Sequence, residues 1–436
     1  MLRQLYTILL YLLLPVVLAL FGWKSRKEIG YRQRWRERFA CWQQALQPNS
    51  VVIHAASVGE VLLVAPLIRQ LLAQYPATPL TITTFTPGGS DQVHTLFGKQ
   101  VQHCYLPFDL PFLMRRFITQ LQPRAFIIVE TELWFNLLHQ LRLQKIPTLL
   151  INARLSAKSA KHYQYFSAGL TEVWQGLTAV AAQDQLSAER YQALGVPKDK
   201  VLCTGNLKFD LVLSDQEIEE YRAAKKHLIG ERPVWIAGST HAGEETLILA
   251  AHQRLLATYP DLLLILVPRH SARFSEVENL LQANSLHYQK RSECQYIEPM
   301  TQVLLGDTMG ELLKLYALAD IAFVGGSLIE RGGHNPLEPL LFKMPVVTGK
   351  YTFNFKQIYS TLVSLSAVLV VESAVDDLTA TITTLLVDSV KASQYGEQGF
   401  AFLQQNRGAL QRTLTLLTPY LSEKKENDYN DLSRNI

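Results

Sequence analysis

From residue 51 onward the chain keeps returning to one arrangement: a short apolar run, a loop of small or polar residues, then a stretch with helical apolar spacing. Val51-Val52-Ile53-His54-Ala55 is the first such run, and Val61 to Tyr75 is the first helix. Leu80 to Phe85, Ala125 to Val129, Thr148 to Asn152 and Ala179 to Ala182 follow as strands. A polar, helix-prone stretch, Ser214 to Glu231, interrupts the series. The pattern then restarts with strands at Val234 to Ala237 and Leu262 to Val267. A helix over Gly310 to Ala319 feeds the strand Ile321 to Val324, and Val346-Val347 begins another. Strands this short and apolar, alternating with helices, predict parallel sheets with crossover connections. Two series in 436 residues predict two α/β domains, with the boundary near residues 205–230.

The first 50 residues obey a different rule. Leu5 to Gly22 is almost wholly apolar, at the low end of the length that covers ~30 Å of hydrocarbon. Lys24, Arg26, Lys27, Arg32, Arg34, Arg36 and Arg38 follow, opposed only by Glu28 and Glu37. Basic residues after an apolar segment stay on the cytoplasmic side and attract anionic head groups. A cleaved signal peptide fits poorly, because the charge lies on the wrong flank and no A-x-A site follows. A spanning helix and a helix lying in one leaflet both fit the segment. The expected organisation is a membrane anchor over 1–23, an N-terminal Rossmann-like domain over 24–212, a C-terminal one over 213–422 and a disordered tail over 423–436.

Composition narrows the partners. A formal charge of +4 on a chain that is 48% hydrophobic predicts no nucleic-acid partner and ample core. Four scattered cysteines contain no C-x-x-C pair, which suits a reducing compartment and no zinc site. Neither a D-x-D triplet nor a G-x-x-x-x-G-K-[ST] loop occurs, so neither a metal-diphosphate grip nor a P-loop is indicated.

Ligands of parallel sheets bind beyond the carboxyl ends of the strands, so the loops there carry the chemistry. In His54-Ala-Ala-Ser-Val-Gly-Glu60, Glu60 fits a general base for an acceptor hydroxyl. Ser57-x-x-Glu60 equally fits a capping box with no catalytic role. Glu130-Thr-Glu-Leu-Trp134 places two carboxylates after a buried strand, where charge is costly unless paired or used. Asn152-Ala-Arg-Leu-Ser156 and Gly205-Asn-Leu-Lys-Phe-Asp210 each add a cation, Arg154 and Lys208, suited to a carboxylate or phosphate.

The second half reads as nucleotide-binding. Gly238-Ser-Thr-His241 is a small-residue turn of the oxyanion-binding kind, and Pro268-Arg-His270 ends a strand with a cation. Gly306-Asp-Thr-Met-Gly-Glu311 precedes a helix, and Gly325-Gly-Ser327 permits close ligand approach. In Gly333-His-Asn-Pro-Leu-Glu338, Asn335 suits a cap and Pro336 a first helical position. Helix amides there would hold a phosphate, and Glu338 would accept ribose hydroxyls.

Taken in order, these segments resemble the 3-deoxy-D-manno-octulosonic acid (Kdo) transferase family of lipopolysaccharide synthesis. Phe135 departs from the family's more frequent proline in the Glu-Leu-Trp-x-Asn run. The resemblance implies a GT-B glycosyltransferase fold, with two Rossmann-like domains facing a cleft and an N-terminal membrane anchor helix. It implies an inverting, metal-independent transfer of Kdo from CMP-Kdo to a hydroxyl of the lipid A precursor lipid IVA, releasing CMP. CMP-Kdo would be a donor substrate, with no cofactor and no metal. Glu60 matches the family's general base, and Glu130 and Lys208 match its transition-state stabilisers. Pro268 and Arg269, Met309, Gly310 and Glu311, and Asn335, Pro336, Leu337 and Glu338 match its CMP-binding segments. The expected location is the inner membrane, with both domains on the cytoplasmic side and membrane lipids as partners. A UDP-sugar enzyme of the same fold, a sugar-nucleotide epimerase or a lipid-binding scaffold are the competing readings.

Overall fold

A computed structural model describes residues 2–421 apart from 43, 44, 166, 212 and 374. It divides into two compact units, Met1–Asp210 with Arg407–Ile436, and Leu211–Asn406.

The first unit is built on a seven-stranded sheet. Its strands are β1 (Val51–His54), β2 (Leu80–Thr84), β3 (Gln102–Tyr105), β4 (Ala125–Val129), β5 (Thr148–Ala153), β6 (Ala179–Ala182) and β7 (Val201–Cys203). Every pairing is parallel, in the order β3-β2-β1-β4-β5-β6-β7. All residues of β1, β2, β4, β5 and β6 are buried, which is why most of these sequences are near-continuous apolar runs; β2, Leu-Thr-Ile-Thr-Thr, buries threonines instead. One face packs on the helix Val58–Gln74 through Val61, Val64, Leu67, Ile68 and Leu71. The opposite face packs on Met114, Phe117, Leu137, Leu141 and Trp174.

The second unit repeats the plan with β8 (Val234–Thr240), β9 (Leu263–Pro268), β10 (Tyr288–Lys290), β11 (Val303–Leu305), β12 (Ile321–Val324), β13 (Val346–Gly349) and β14 (Val368–Val371). The order is β10-β11-β9-β8-β12-β13-β14, again all parallel. The strand order turns back between β1 and β4 in the first sheet and between β8 and β12 in the second, where β11 is also inserted between β9 and β10. Crevices for ligands open at such reversals, because the flanking crossovers leave in opposite directions.

The structure adds five strands to those expected: β3, β7, β10, β11 and β14. β3, β7, β10 and β14 are the four sheet edges; β3 (Gln-His-Cys-Tyr) and β10 (Tyr-Gln-Lys) carry mixed sequences, since an edge is less completely buried, whereas β14 is the apolar run Val-Leu-Val-Val. β11 is only three residues long. The expected domain limit at 422 is also corrected: the second unit ends at Asn406, and the chain returns to the first. There Asp210 accepts the backbone N–H groups of Gly408 and Leu410, and Arg412 donates to the Thr204 carbonyl. Ala409, Leu414, Leu417 and Leu421 complete the core over the helix Val58–Gln74. The stretch 423–436 lies outside the described residues.

The N-terminal helix runs Leu2–Lys27, longer than its apolar core. Over Arg3–Arg26 it is long and apolar enough to cross a membrane, with mean hydropathy 2.4. It also lies along the first unit. Leu10, Leu14, Val17, Leu18 and Phe21 pack with Phe108, Leu110 and Leu113. Nearer its start, the Tyr6 hydroxyl donates to Asp109, and Arg3 and Thr7 donate to the Asn136 side-chain oxygen. Phe135 meets the Tyr6 ring edge-on at 4.9 Å. The opposite face, including Leu5, Ile8, Leu12 and Val16, is exposed. Two of the seven following cations belong to the fold rather than the surface. Arg38 is buried among Phe21, Phe85 and Tyr105, and Arg34 pairs with Glu37 and His103. Lys24, Arg26, Arg32 and Arg36 remain exposed.

Candidate functional site

In the first unit the candidate residues gather at the carboxyl ends of β1, β4 and β5. Ser57 caps the helix after β1, accepting the Glu60 N–H at 3.5 Å. The Glu60 carboxylate accepts the Ala56 N–H at 2.6 Å and the Ser57 hydroxyl at 3.1 Å. The capping interaction and the catalytic reading therefore describe one and the same side chain: the local bonds fix the carboxylate at the reversal between β1 and β4. Burial pushes the Glu60 carboxyl up to about 7, and the charges of Glu132 and Glu130 reinforce the shift. Such a group is poised to accept a proton near neutral pH.

Glu130 follows β4 with φ of 60°, a left-handed conformation that costs a non-glycine residue energy and is concentrated at functional sites. Its N–H still bonds to the Ile151 carbonyl, so the turn begins without loss of a ladder bond. The Lys208 ammonium lies 3.7 Å from the Glu130 carboxylate. Asn152 near the end of β5 shares the left-handed conformation, φ 49°, and its side-chain oxygen accepts the buried Leu207 N–H at 2.9 Å. Asn206 caps the Lys208 N–H, so the short turn Leu207–Phe209 presents Lys208 at a fixed place. Glu132 has a raised carboxyl through burial and the neighbouring Glu130 charge. Arg154 is exposed, and its carbonyl accepts the Thr131 hydroxyl. His54 belongs to the sheet instead: it is wholly buried against Thr83, and burial pushes it down to about 4.

In the second unit the residues gather where β8 and β12 diverge. The Arg269 N–H bonds to the Thr240 carbonyl, which ties the end of β9 to that of β8. The Arg269 charge acts on Glu338, His334 and His241, so the Pro268-Arg269 and Asn335–Glu338 segments share one locality. Burial raises the Glu338 carboxyl, and the Asn335 amide donates to it at 3.4 Å. Asn335 accepts the Leu337 N–H. Pro336 is the cap itself, and the helix that follows is a single turn, Leu337–Leu340. The expected cap at Asn335 and first helical position at Pro336 are thereby shifted by one residue, and one turn supplies few aligned peptides to the dipole expected to help hold a phosphate. The helix expected over 310–319 also shortens to Leu312–Tyr316, with Glu311 at its cap. Glu311 accepts the Thr308 hydroxyl and faces Arg291 at 3.5 Å, while Met309 is exposed. Tyr316 at the end of that helix fills the space over Gly238, where an added Cβ would stand 2.3 Å from its hydroxyl. Ser327 is committed to structure: buried, it donates to Val324 and accepts the Gly349 N–H.

Sequence reasoning missed the two carboxylates that hold these loops. Glu244 is fully buried and accepts backbone N–H groups of Gly326, Ser327, Leu328 and His241. Glu245 accepts the Thr240 hydroxyl and the Arg273 guanidinium, which pins the chain after Arg269. The acidic pair at the start of the helix Glu244–Leu256 was the available signal, but it reads equally as an ordinary first turn.

Residues 33–211 match the family model of 3-deoxy-D-manno-octulosonic-acid transferase, and residues 236–402 match glycosyl transferases group 1. The 3-deoxy-D-manno-octulosonic acid transferase of Haemophilus influenzae is 49% identical over 96% of this chain and 99% of that protein. The chain belongs to the Kdo transferase family. Within this family, the Bordetella pertussis protein is 34% identical over 96% of this chain and 99% of its own. Among solved structures, a glycosyltransferase from Rickettsia africae covers 86% of this chain and 100% of its own, with a TM-score of 0.54 at 13% identity. UDP-GlcNAc 2-epimerase from Neisseria meningitidis covers 85% and 100%, with a TM-score of 0.53 at 16% identity. The fold of this Kdo transferase family member is GT-B, with two parallel seven-stranded sheets.

Proposed function

We propose that this protein transfers Kdo from CMP-Kdo to a sugar hydroxyl of the lipid A precursor, lipid IVA, releasing CMP with inversion and without a metal. The observation that carries the reading is Glu60, a carboxylate fixed by Ala56 and Ser57 at the strand reversal and held up to about 7. It takes the proton of the acceptor hydroxyl as the oxygen attacks the anomeric carbon from the face opposite the leaving phosphate. Glu130, with Glu132 beside it, favours the positive charge that develops on the sugar. Lys208, close to Glu130, balances negative charge on Kdo or on the departing phosphate. In the second unit Arg269 faces the single phosphate, and Glu338, Asn335 and the Met309–Glu311 turn receive the nucleoside. With one phosphate to stabilise, these groups suffice without a divalent ion.

The N-terminal helix supports a membrane-bound protein acting on the cytoplasmic side of the inner membrane. Because Arg3, Tyr6 and Thr7 are bonded to Asn136 and Asp109 while Leu10 to Phe21 pack on the same unit, we read the helix as lying in one leaflet with its apolar face in lipid.

Purified protein mixed with CMP-Kdo and lipid IVA tests the reading through release of CMP. Glu60→Gln should abolish release while CMP still binds. Near-normal turnover in that variant overturns the assignment of the base. Thermal stabilisation by CMP and not by UDP is expected. Activity should survive EDTA, and loss that a divalent ion restores would contradict the metal-free step.

A further inference from the structure

The loops after β8 and β12 bring two histidines together at the strand reversal of the second unit. Nε2 of His241 lies 2.8 Å from Nε2 of His334, with the two rings within 10° of parallel. His270 meets the His241 ring edge-on at 5.6 Å. The ionisable groups facing the pair are nearly all basic: Arg269, Arg273, Arg331 and His270 act on His241, and Arg269 and His270 act on His334. On the acidic side, Glu244 accepts the backbone N–H of His241 and is otherwise engaged by the loop 326–328, and Glu245 and Glu276 hold Arg273.

At 2.8 Å only one hydrogen fits between the two nitrogens, so one ring donates and the other accepts. A second proton would set two N–H groups against each other amid surrounding cations. Burial and those cations accordingly push His241 down to about 4 and His334 down to about 3. An anionic oxygen placed between the rings reverses the balance, since it accepts from both and supplies the missing negative charge. Gly326 leaves space beside both rings, since a Cβ there would stand 3.0 Å from His334 and 3.5 Å from His241. Its φ of 70° favours glycine as well.

We propose that His241 and His334 form a proton-sharing receptor for the donor's phosphate, separating to grip one oxygen and taking up one proton from solvent as they do so. The proposal rests on the reading of the second unit as the donor-binding one. Its chemical use follows from the charge change in transfer. In a phosphodiester donor the phosphate carries one negative charge. When the sugar C–O bond breaks, the electron pair stays on the phosphate oxygen, which then carries two. The pair with one added proton, both Nε2 atoms then donating, binds that product-like charge better than it binds the donor, which lowers the barrier rather than merely tightening binding.

Calorimetry of the full chain with CMP and with cytidine, each in two buffers of different ionisation enthalpy at pH 8, tests this directly. At that pH free CMP is already dianionic. The wild type should take up about one proton per CMP bound and none with cytidine. His334→Gln and His241→Gln keep an amide donor but cannot take the proton. They should lose the uptake and weaken CMP roughly tenfold or more, with cytidine affinity and melting temperature unchanged. In turnover, their kcat should fall more than their KM rises. CMP binding without proton uptake in the wild type, or uptake that persists in both variants, overturns the receptor. If neither CMP nor cytidine binds the wild type, the donor reading itself falls, which is a different result from an inert histidine pair.

Discussion

The Lys208 ammonium stands 3.7 Å from the Glu130 carboxylate, a cation from the turn after β7 brought to an anion at the end of β4. Both side chains keep about 30% of their surface exposed, 30% and 28%. An ion pair so placed adds under about 1 kcal/mol to stability. Lys208→Ala should therefore leave the melting temperature within a few degrees of wild type while lowering turnover roughly a hundredfold or more. A variant that melts early and turns over normally would show that the pair serves the fold instead.

Asn152 is the support behind that cation. Its side-chain oxygen accepts the Leu207 N–H, and both residues are buried. Asn152→Ala leaves that N–H unsatisfied and puts a Cβ-bearing residue without a polar side chain at φ 49°. The expected loss is about 1–3 kcal/mol in urea unfolding, with turnover falling beyond what the lost stability explains. An unchanged unfolding midpoint would remove Asn152 from this role.

Glu60 gives a pH prediction of definite sign. Its carboxyl rises from 4.5 to about 7 on folding. Between those values the folded chain holds a proton that the unfolded chain has lost, so stability from this group falls as pH rises through the window. Glu60→Gln, which does not titrate, should melt progressively higher than wild type as pH goes from 4.5 to 7. Wild-type turnover should rise across pH 7 as the base ionises. Parallel melting curves for the two proteins would contradict the shift.

Glu244 holds the loop 326–328 by three backbone N–H bonds and accepts a fourth from His241, in a fully buried setting. Glu244→Ala strands those donors at about 1–3 kcal/mol each. The variant should unfold at much lower urea and lose CMP binding. Glu245→Gln releases Arg273 but spares the loop, so a smaller loss of CMP affinity at near-normal stability is expected.

The exposed face of the N-terminal helix makes the membrane reading testable. Leu5→Glu combined with Leu12→Glu charges two residues that are 65% and 70% exposed, without touching the Asp109 and Asn136 bonds. Flotation with anionic vesicles should fall sharply, while CMP binding stays intact. Unchanged flotation would mean that lipid does not meet this face.

Sequence by itself fixed the repeated strand-helix alternation, because strands buried on both faces must be written as continuous apolar runs such as Ala-Phe-Ile-Ile-Val at 125–129. It also placed Glu60, Glu130 and Arg269 in the loops and turns after strands and Glu338 at a helix start, where local order along the chain is enough to find them. Edge strand β3 escaped it, since Gln-His-Cys-Tyr carries no apolar run. So did the destination of the final helix: an amphipathic Ala409–Leu417 states that it must cover a core, not which core. Only tertiary structure decided the burial that lifts Glu60, the approach of Lys208 to Glu130, and the meeting of His241 with His334 across 93 residues of chain. Local sequence sets backbone preferences within a few residues, whereas desolvation and charge pairing depend on what the fold brings from elsewhere.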